Sequence, residues 1–494
     1  MSTLKKLAGQ TAVYGLSTIV GRLLNYLLVP LYTYNFSTSE YGVVTEMYAY
    51  ISFLIIVVTY GMETALFSFS ASEENKDKVY STALISVLVS TAAFISLVIL
   101  FADPLAVVIE HPQHTDYVLW VILIIGLDAF TSIPFAKLRE QNKAGRFAFI
   151  KIINIAINIA LNIFFIAICK NAYNDPSNAF YSIANAVYSP EIGVGYVFIS
   201  NLVASFVVLL LLFPEVVKIK YTFDRELWKR MMIYALPLLL AGLAGMTNET
   251  MDRILLKYML PKDIAASQVG VYGACYKISI LMTIFVQTFR YAAEPFFFSN
   301  SREKNSKELY ADVMKYFIIA CSFIFLATML NLSWIQYFVG KEFRSGLDVV
   351  PILLIANLCL GAFFNLSIWY KLTNKTKFGA YLTGLGAVIT LTLNFLLIPV
   401  MGFMGSAWAT LACYATMMVA SYFLGNKHFP VNYNLKRILG YLTLSLALYF
   451  TGYYLIPGNS ALTIALNNLL VLLFISTVYF LERDGIKKLI KNEN

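Results

Sequence analysis

Four charged residues occupy one end of a long apolar segment. The stretch NETMDRILLKYML, residues 248–260, carries Glu249, Asp252, Arg253 and Lys257 and continues the apolar run MMIYALPLLLAGLAGM. On a helix, Glu249, Arg253 and Lys257 share one face because they are four residues apart, and Asp252 lies beside them. A charge at mid-bilayer costs about 2.5–3.5 kcal/mol on insertion scales, so such residues are paired or face a polar cavity. Two interpretations follow: a ladder of ion pairs whose Lys257 reaches outward to the membrane surface, or the outer wall of a polar cavity lined by Arg253.

Three other charges are expected to lie deeper in the membrane. At a rise of about 1.5 Å per residue, Arg22, Lys277 and Asp128 lie roughly 18–22 Å from the nearer ends of their predicted spans. Two cations against one acid favour an anionic substrate group, because Arg donates two parallel hydrogen bonds to phosphate and Lys supplies a point charge. Asp128 is predicted to pair structurally, to neutralise one of these cations, or to carry a coupling proton.

The remaining candidates lie nearer the membrane surfaces. Glu63 and the pair Arg290/Glu294 are predicted at cytoplasmic ends, either as a cavity gate or as ordinary interfacial pairs. Glu46 is expected to have a structural role near the outer surface. Two histidines in HPQH, residues 111–114, predict an ordinary loop, since no third metal ligand is in view. We expect no metal and no cofactor.

The composition is that of a membrane protein. The 494 residues are 59% hydrophobic and 13% charged, against about 25% charged residues in soluble proteins. Windows of about 20 apolar residues predict an all-α, polytopic membrane protein with about fourteen spans. The first is expected to be a retained span and not a cleaved signal peptide. The approximate spans are 7–34, 41–69, 79–102, 116–138, 145–169, 192–213, 228–259, 264–291, 310–332, 346–371, 378–399, 403–424, 435–456 and 460–481.

Basic residues set the predicted orientation. If both termini lie on one side, that side collects 28 of the 37 Lys and Arg residues, and such an excess marks the cytoplasm. We therefore expect a multi-pass protein of the bacterial cytoplasmic (inner) membrane with both termini cytoplasmic. The net charge of +9 is explained by this topology, so no nucleic-acid partner is predicted.

An internal repeat organises the chain. Leu161-Asn162 in the fifth span matches Leu393-Asn394 in the eleventh, and Gly42 in the second span matches Gly270 in the eighth. Spans 1–6 and 7–12 therefore form two parallel repeats, a plan used by many secondary transporters with the substrate site between the halves. The predicted division is a six-helix lobe over 1–220, a second six-helix lobe over 221–430, and spans 13–14 with a cytoplasmic tail over 431–494.

These segments together resemble a known family. KLAGQTAVYGLSTIVGRLLNYLLVPLYTYNFSTSEYGVV, TMDRILLKYML, VGVYGACYKI and GFMGSAWATL resemble the polysaccharide transporter family of the multidrug/oligosaccharidyl-lipid/polysaccharide exporter superfamily. The resemblance implies a V-shaped, two-lobed transporter with a central cationic cavity. It implies a flippase that moves undecaprenyl-pyrophosphate-linked oligosaccharide (an O-antigen, capsule, exopolysaccharide or teichoic-acid unit) across the membrane by alternating access.

The resemblance also assigns roles to residues. Arg22, Lys277, Arg253 and, more weakly, Arg290 are expected to contact the pyrophosphate or sugar. Asp252 and Glu249 are expected to orient Arg253, and Asp128, Glu63 and Glu249 are the carboxylates that could couple transport to H+ or Na+. The lipid bilayer and polysaccharide polymerase machinery are the implied partners.

Three alternatives stay open at this stage. A lipid II flippase for peptidoglycan would share the cationic cavity, and a cation-coupled multidrug exporter would share the fold but would favour an acidic, aromatic cavity. A membrane enzyme such as a polymerase or ligase would need catalytic residues in an outer loop. The longest predicted outer loop has Asp175 and Glu191 as its acids and no His, so we expect a protein that is not an enzyme.

Overall fold

A computed structural model describes residue 21 and residues 23–301, 303, 305–458 and 460–491. Throughout this part of the chain the regular structure is helical, which confirms the all-α prediction. The first half contains helices α1 Leu28–Asn35, α2 Thr38–Thr59, α3 Met62–Ser72, α4 Lys76–Leu100, α5 Ala102–Val108, α6 Thr115–Glu140, α7 Ala144–Asn162, α8 Lys170–Tyr173, α9 Tyr181–Val187, α10 Gly195–Val217 and α11 Arg225–Met259. A π-helix, Ile163–Cys169, joins α7 to α8, and a 3₁₀ turn spans Pro190–Ile192.

The second half continues in the same way. It contains α12 Lys262–Ile278, α13 Ile280–Ser299, α14 Ser306–Leu330, α15 Leu332–Ile335, α16 Val349–Leu366, α17 Ile368–Leu372, α18 Lys377–Met401, α19 Phe403–His428, α20 Leu435–Leu455 and α21 Ala461–Lys491, with 3₁₀ turns at Gln336–Phe338 and Lys341–Gly346. Within the described residues, 12 helices are long and apolar enough to cross a membrane, or up to 13 when the bent pair α12 and α13 is one span. The chain is thus a multi-pass membrane protein, and the first predicted span, 7–34, lies mostly outside the described residues.

Backbone breaks divide two of the predicted spans. Tyr60 (φ 36°) and Gly61 (φ 78°) are left-handed and separate α2 from α3 within the second span. Glycine adopts this conformation readily, whereas tyrosine does so rarely. The eighth span breaks at Ser279, where α12 and α13 meet at 55°.

Contacts group the chain into two compact units, one extending to Gly273 and the other beginning at Ala274. In the first unit, α3, α4, α6 and the start of α11 share a core that includes Leu66, Leu84, Ile133 and Met231. The seventh span therefore packs on helices of the first repeat. The predicted lobe boundaries at residues 220 and 430 rest on repeats in the sequence, and they stay predictions.

In the second unit, helices α20 and α21 pack on α14. Glu482 of α21 is 1% exposed and accepts hydrogen bonds from Lys315 (2.9 Å) of α14 and from Arg437 (2.8 Å) and Tyr441 (2.7 Å) of α20. Near the opposite end of α21, Asn468 exchanges side-chain hydrogen bonds with Asn331, at the end of α14. Helix α21 is thus fixed to α14 near both ends of α14, and α20 joins them at the Glu482 end.

Equivalent residues of the two repeats make equivalent hydrogen bonds. Asn162 donates through Nδ2 to the carbonyl of Asn158, four residues earlier, at 2.8 Å, and Asn394 donates to the carbonyl of Thr390 at 2.8 Å. Each Oδ1 accepts from a hydroxyl on another helix, Tyr32 for the first asparagine and Ser406 for the second. Both asparagines are fully buried, so the aligned positions have the same structural role.

The glycines aligned between the second and eighth spans lie at one helix crossing. A Cβ placed on Gly42 of α2 would lie 1.9 Å from the carbonyl oxygen of Ala266, and one on Gly270 of α12 would lie 1.9 Å from that of Thr38. Ser267 and Thr38 hydroxyls are hydrogen-bonded there at 2.8 Å. The backbones approach so closely that only glycine fits at these two positions.

Candidate functional site

The charged end of α11 holds a fixed arginine. Arg253, 9% exposed, donates through Nη1 to the carbonyl of Glu249 (2.6 Å) and to Asp252 Oδ1 (3.1 Å). Tyr272 of α12 donates a hydrogen bond from its hydroxyl to Asp252 Oδ2 at 2.6 Å, and the centre of its ring lies 5.8 Å from the Arg253 guanidinium carbon. Asp252 therefore orients Arg253, and Glu249 contributes its backbone carbonyl while its own side chain is exposed.

One turn further along α11, Lys257 is buried in a second polar cluster. Its ammonium lies 3.6 Å from Glu46 Oε2 on α2 and 3.8 Å from Glu110 Oε2 in the loop after α5. Glu46 is 1% exposed and lies 3.2 Å from His111 Nε2. We call Glu46, Glu110, His111 and Lys257, together with Tyr50, the outer cluster, because it lies at the end of the spans predicted to face the periplasm.

Hydroxyl groups and a peripheral lysine complete the outer cluster. Tyr50 donates to Glu46 Oε1 at 3.0 Å and its hydroxyl is 2.7 Å from that of Tyr258. Lys262, 83% exposed, lies 2.7 Å from Glu110 Oε1, and this hydrogen bond holds the pKa of the Glu110 carboxyl below its usual value. Lys257 thereby ties α11 to α2 through charge, Lys262 ties α12 to the loop that bears Glu110, and the glycine crossing joins α12 to α2.

The other deep cation lies beside the break in the eighth span. Lys277 is the penultimate residue of α12, two positions before Ser279, and is partly exposed. A cation at a helix break is near backbone groups that the helix no longer satisfies, an arrangement found at transporter binding sites. Arg22 lies outside the described residues, so the expected contact of Arg22 and Lys277 with one pyrophosphate stays a prediction.

A third group lies on the half of α13 nearer its C-terminus. The Arg290 guanidinium lies 4.6 Å from the centre of the Phe364 ring, and Lys371 of α17 contacts Glu294 at 2.6 Å. Arg290 and Glu294 are exposed enough to meet a ligand. Beneath them lies Asn365 of α16, which the sequence analysis did not single out.

The remaining carboxylates have protein partners. Asp128 of α6 accepts a hydrogen bond from the Ser205 hydroxyl of α10 at 2.7 Å. Glu63, in the first turn of α3, is paired with Arg139 at the end of α6. Both interactions join helices of the first unit, and their role in coupling stays a prediction. Within the described residues, no three His, Cys, Asp or Glu side chains come together as metal ligands.

The structure brings Arg253, Asp252 and Tyr272 together and, next to them, collects the outer cluster. The sequence predicts a structural role for Glu46 and a loop position for His111, because nothing in a single helix shows that Lys257, about two hundred residues away, will lie beside Glu46. The available signal was Lys257 itself: a lysine on a membrane helix needs a partner, and Glu46 is an acid predicted at the same depth.

Comparison with known proteins identifies the chain's relatives. A family model described as "Polysaccharide biosynthesis protein" matches residues 7–301. The matched region includes α11, the outer cluster and Arg290. No curated protein matches the chain in sequence.

Solved structures share the fold. One is the lipid II flippase MurJ in an inward closed conformation (TM-score 0.70, 14% identity, covering 95% of this chain and 99% of that one). Another is an inward-facing multidrug resistance MATE family transporter of the MOP superfamily (TM-score 0.65, 14% identity, 83% and 94%). A third is the MATE multidrug transporter DinF-BH (TM-score 0.62, 17% identity, 87% and 97%). At these identities the likeness establishes the transporter fold.

Proposed function

This chain belongs to the polysaccharide biosynthesis protein family, and on that premise we propose that it is a flippase for undecaprenyl-pyrophosphate-linked oligosaccharide. The observation that carries the proposal is the family match, which extends over most of the first unit and into α13. A membrane protein with a transporter fold in this family contributes to polysaccharide synthesis most directly by moving a lipid-linked sugar unit across the bilayer. The proposed direction is from the cytoplasmic to the periplasmic leaflet of the bacterial inner membrane.

The charged residues suit the proposed substrate. A pyrophosphate requires cations, and Arg253 is held in a defined orientation by Asp252 and the Glu249 carbonyl. Preorganised guanidinium donors bind phosphate oxygens without first losing side-chain freedom. Lys277 and Arg22 are the further cations proposed for the same head group, while the polyprenyl chain stays in the lipid.

Alternating access accounts for the outer cluster. In the present conformation, Lys257 and Glu46 join α11 to α2 at the end proposed to face the periplasm. We propose that this contact closes the periplasmic side and opens when substrate is released. Asp128, Glu63 and Glu249 are the carboxylates proposed to couple this cycle to H+ or Na+, and polymerase machinery would receive the product.

Lipid II is the second candidate substrate, because the MurJ flippase shares the fold over nearly the whole of both chains. Lipid II has the same pyrophosphate and polyprenyl groups as the proposed substrate but carries a different glycan. A multidrug exporter is a third, since MATE transporters share the fold as well. An assay must therefore distinguish transport of a sugar-bearing lipid from transport of a drug.

The test is transbilayer movement in liposomes. Wild type is compared with Arg22→Ala, Lys277→Ala and the control Lys220→Ala, which removes an exposed cation outside the outer cluster, each checked for folding and membrane insertion. The substrates are a fluorescent undecaprenyl-pyrophosphate oligosaccharide, lipid II and a cationic dye. We expect the oligosaccharide lipid to move with wild type and the control and to slow at least tenfold, about 1.4 kcal/mol, with the two variants.

Each contrary result has a definite meaning. Equal transport by all four proteins would make the two cations structural. Movement of lipid II or the dye, with none of the oligosaccharide lipid, would replace the proposed substrate.

A further inference from the structure

Asn365 is a buried amide without a partner among the described residues. It is 1% exposed, and neither its Oδ1 nor its Nδ2 has a hydrogen-bond partner there. A buried polar group left unsatisfied costs about 1–3 kcal/mol. Two turns earlier on the same helix, Asn357 is similarly buried, but it donates to the Leu353 carbonyl (2.8 Å) and accepts from Thr283 (3.3 Å). Asn365 therefore differs from an ordinary structural asparagine.

The unpaired amide lies in a recess between α13 and the α16–α17 junction. Phe289, Arg290 and Glu294 form one wall, and Phe364 and Lys371 form the other. Helix α16 ends at Leu366, directly after Asn365, and α17 begins at Ile368, so the recess is at the junction of these two helices within the tenth span. Its enclosed part has room for about one water molecule, and Arg290 and Glu294 border its open side.

The size and polarity of the recess select a chemical group. A hydroxyl is the size of a water molecule and both donates and accepts, so it satisfies Asn365 Oδ1 and Nδ2 together. A phosphate oxygen only accepts, so it would leave Asn365 Oδ1 unpaired. The recess therefore fits a sugar hydroxyl better than the pyrophosphate.

We infer that Asn365 forms the floor of a sugar subsite, where a hydroxyl of the transported glycan inserts between Arg290 and Glu294. The inference rests on the proposed function and deepens it. Glu294 accepts a hydrogen bond from a neighbouring sugar hydroxyl and Arg290 donates one, while the rings of Phe289 and Phe364 contact the apolar parts of the sugar. The subsite lies near the end of α13 predicted to be cytoplasmic, where a substrate enters.

Binding to the full-length protein in lipid nanodiscs tests the inference. The probes are undecaprenyl pyrophosphate and the same lipid carrying one hexose, and the proteins are wild type, Asn365→Leu and the control Asn357→Leu. Wild type should bind the hexose-bearing lipid about tenfold more tightly. Asn365→Leu should bind both lipids with the affinity that wild type has for the bare one, and the control should keep the wild-type preference.

Thermal unfolding separates a binding role from a structural one. Asn365→Leu removes an unpaired amide and should unfold at the wild-type temperature or above, whereas Asn357→Leu breaks two hydrogen bonds and should unfold lower. A sugar preference that survives in Asn365→Leu would overturn the inference and assign the recess to an ordered water only. Wild type that binds both lipids equally overturns the subsite alone, and wild type that binds neither overturns the proposed function and the subsite with it.

Discussion

At the scale of single residues, the buried charges of the first unit act in pairs. Lys257 is 6% exposed and Glu46 is 1% exposed, and each lowers the cost of burying the other. Removing one member of a buried pair leaves the other uncompensated, which is more damaging than removing both. Replacing one member of the pair should therefore lower stability more than replacing both.

Lys257→Met should lower the free energy of unfolding by about 3–5 kcal/mol, because Glu46 would keep its charge without the ammonium. Adding Glu46→Gln should recover a large part of the loss. Chemical or thermal unfolding in detergent measures both effects. Lys262→Met is the matched control: its lysine is 83% exposed and should contribute about 1 kcal/mol or less. Equal losses at the two lysines would contradict the pairing argument.

The residue scale is also where sequence reasoning was weakest. The position of residues 248–260 along one helix axis predicts that they lie near the outer surface, with the Lys257 side chain reaching outward. In the structure Lys257 is buried, because α2 and the loop bearing Glu110 and His111 cover it. The sequence of α11 alone does not show that other segments bury Lys257. Asn365 was missed for the same reason, since an asparagine in an apolar helix looks alike whether or not it has a partner.

At the scale of helices, the close approach of α2 and α12 depends on glycine. Gly270→Ala puts a methyl group against the Thr38 carbonyl, so the helices must separate, and overpacking of this kind typically costs about 1–3 kcal/mol. Gly245→Ala on α11 meets nothing within 4 Å and should be neutral or stabilising by up to about 1 kcal/mol, because alanine favours the helix. The melting temperatures of the two variants in detergent measure the difference. A Gly270 variant as stable as the Gly245 one would show that the crossing tolerates a side chain.

The start of α11 gives a prediction for acid pH. Asp224 caps the helix by accepting from the backbone N–H groups of Glu226 and Leu227. Its hydrogen bond with Lys78 and these two N–H groups lower its pKa to about 2, against about 3.9 in an unfolded chain. A carboxylate with a depressed folded pKa stabilises fully above about pH 4 and loses this contribution as the pH falls to about 2.

Asp224→Asn keeps a capping side chain but removes the charge. We expect the melting temperature of wild type to exceed that of the variant at pH 6 and the gap to close between about pH 4 and pH 2. Melting curves of the two proteins at matched ionic strength measure the gap. A gap independent of pH would show that the carboxylate charge does not contribute.

Helices were the most predictable elements, because about 20 apolar residues in a row have few alternatives in a membrane. The breaks inside them were not predicted. Tyr60 is left-handed although tyrosine disfavours that conformation, and Ser279 ends α12 without a proline or a glycine. Gly61, directly after Tyr60, adopts the left-handed conformation readily, but one glycine in an apolar run does not by itself predict a break, and at Ser279 no such residue marks one.

At the scale of the whole molecule, the sequence established the class and the structure added the internal attachments. Apolar content and repeated spans were sufficient to predict an all-α fold of the transporter type, which the shared folds confirm, and the resemblance of particular segments predicted the family that the family match confirms. The attachment of α20 and α21 to α14 through Glu482 was not predictable, because Lys315 entered only the count of cytoplasmic basic residues and nothing in the sequence singles out Glu482. Pairing between distant charges needs the three-dimensional arrangement that composition does not supply.

The glycine crossing has the symmetry of a contact between two equivalent units. Gly42 meets Ala266 while Gly270 meets Thr38, and in the aligned repeats Thr38 corresponds to Ala266 as Gly42 does to Gly270. Such reciprocity, in which residue i touches j and the counterpart of j touches the counterpart of i, is the signature of a twofold homodimer. An ancestor with a single repeat would have joined two identical subunits through this surface. Gene duplication and fusion would turn such a contact between molecules into one within a chain and leave the two halves free to diverge. At the offset that aligns the glycines, Glu46 corresponds to Ala274 and Lys257 to Val29, so the symmetry-related position lacks the charges of the buried ion pair.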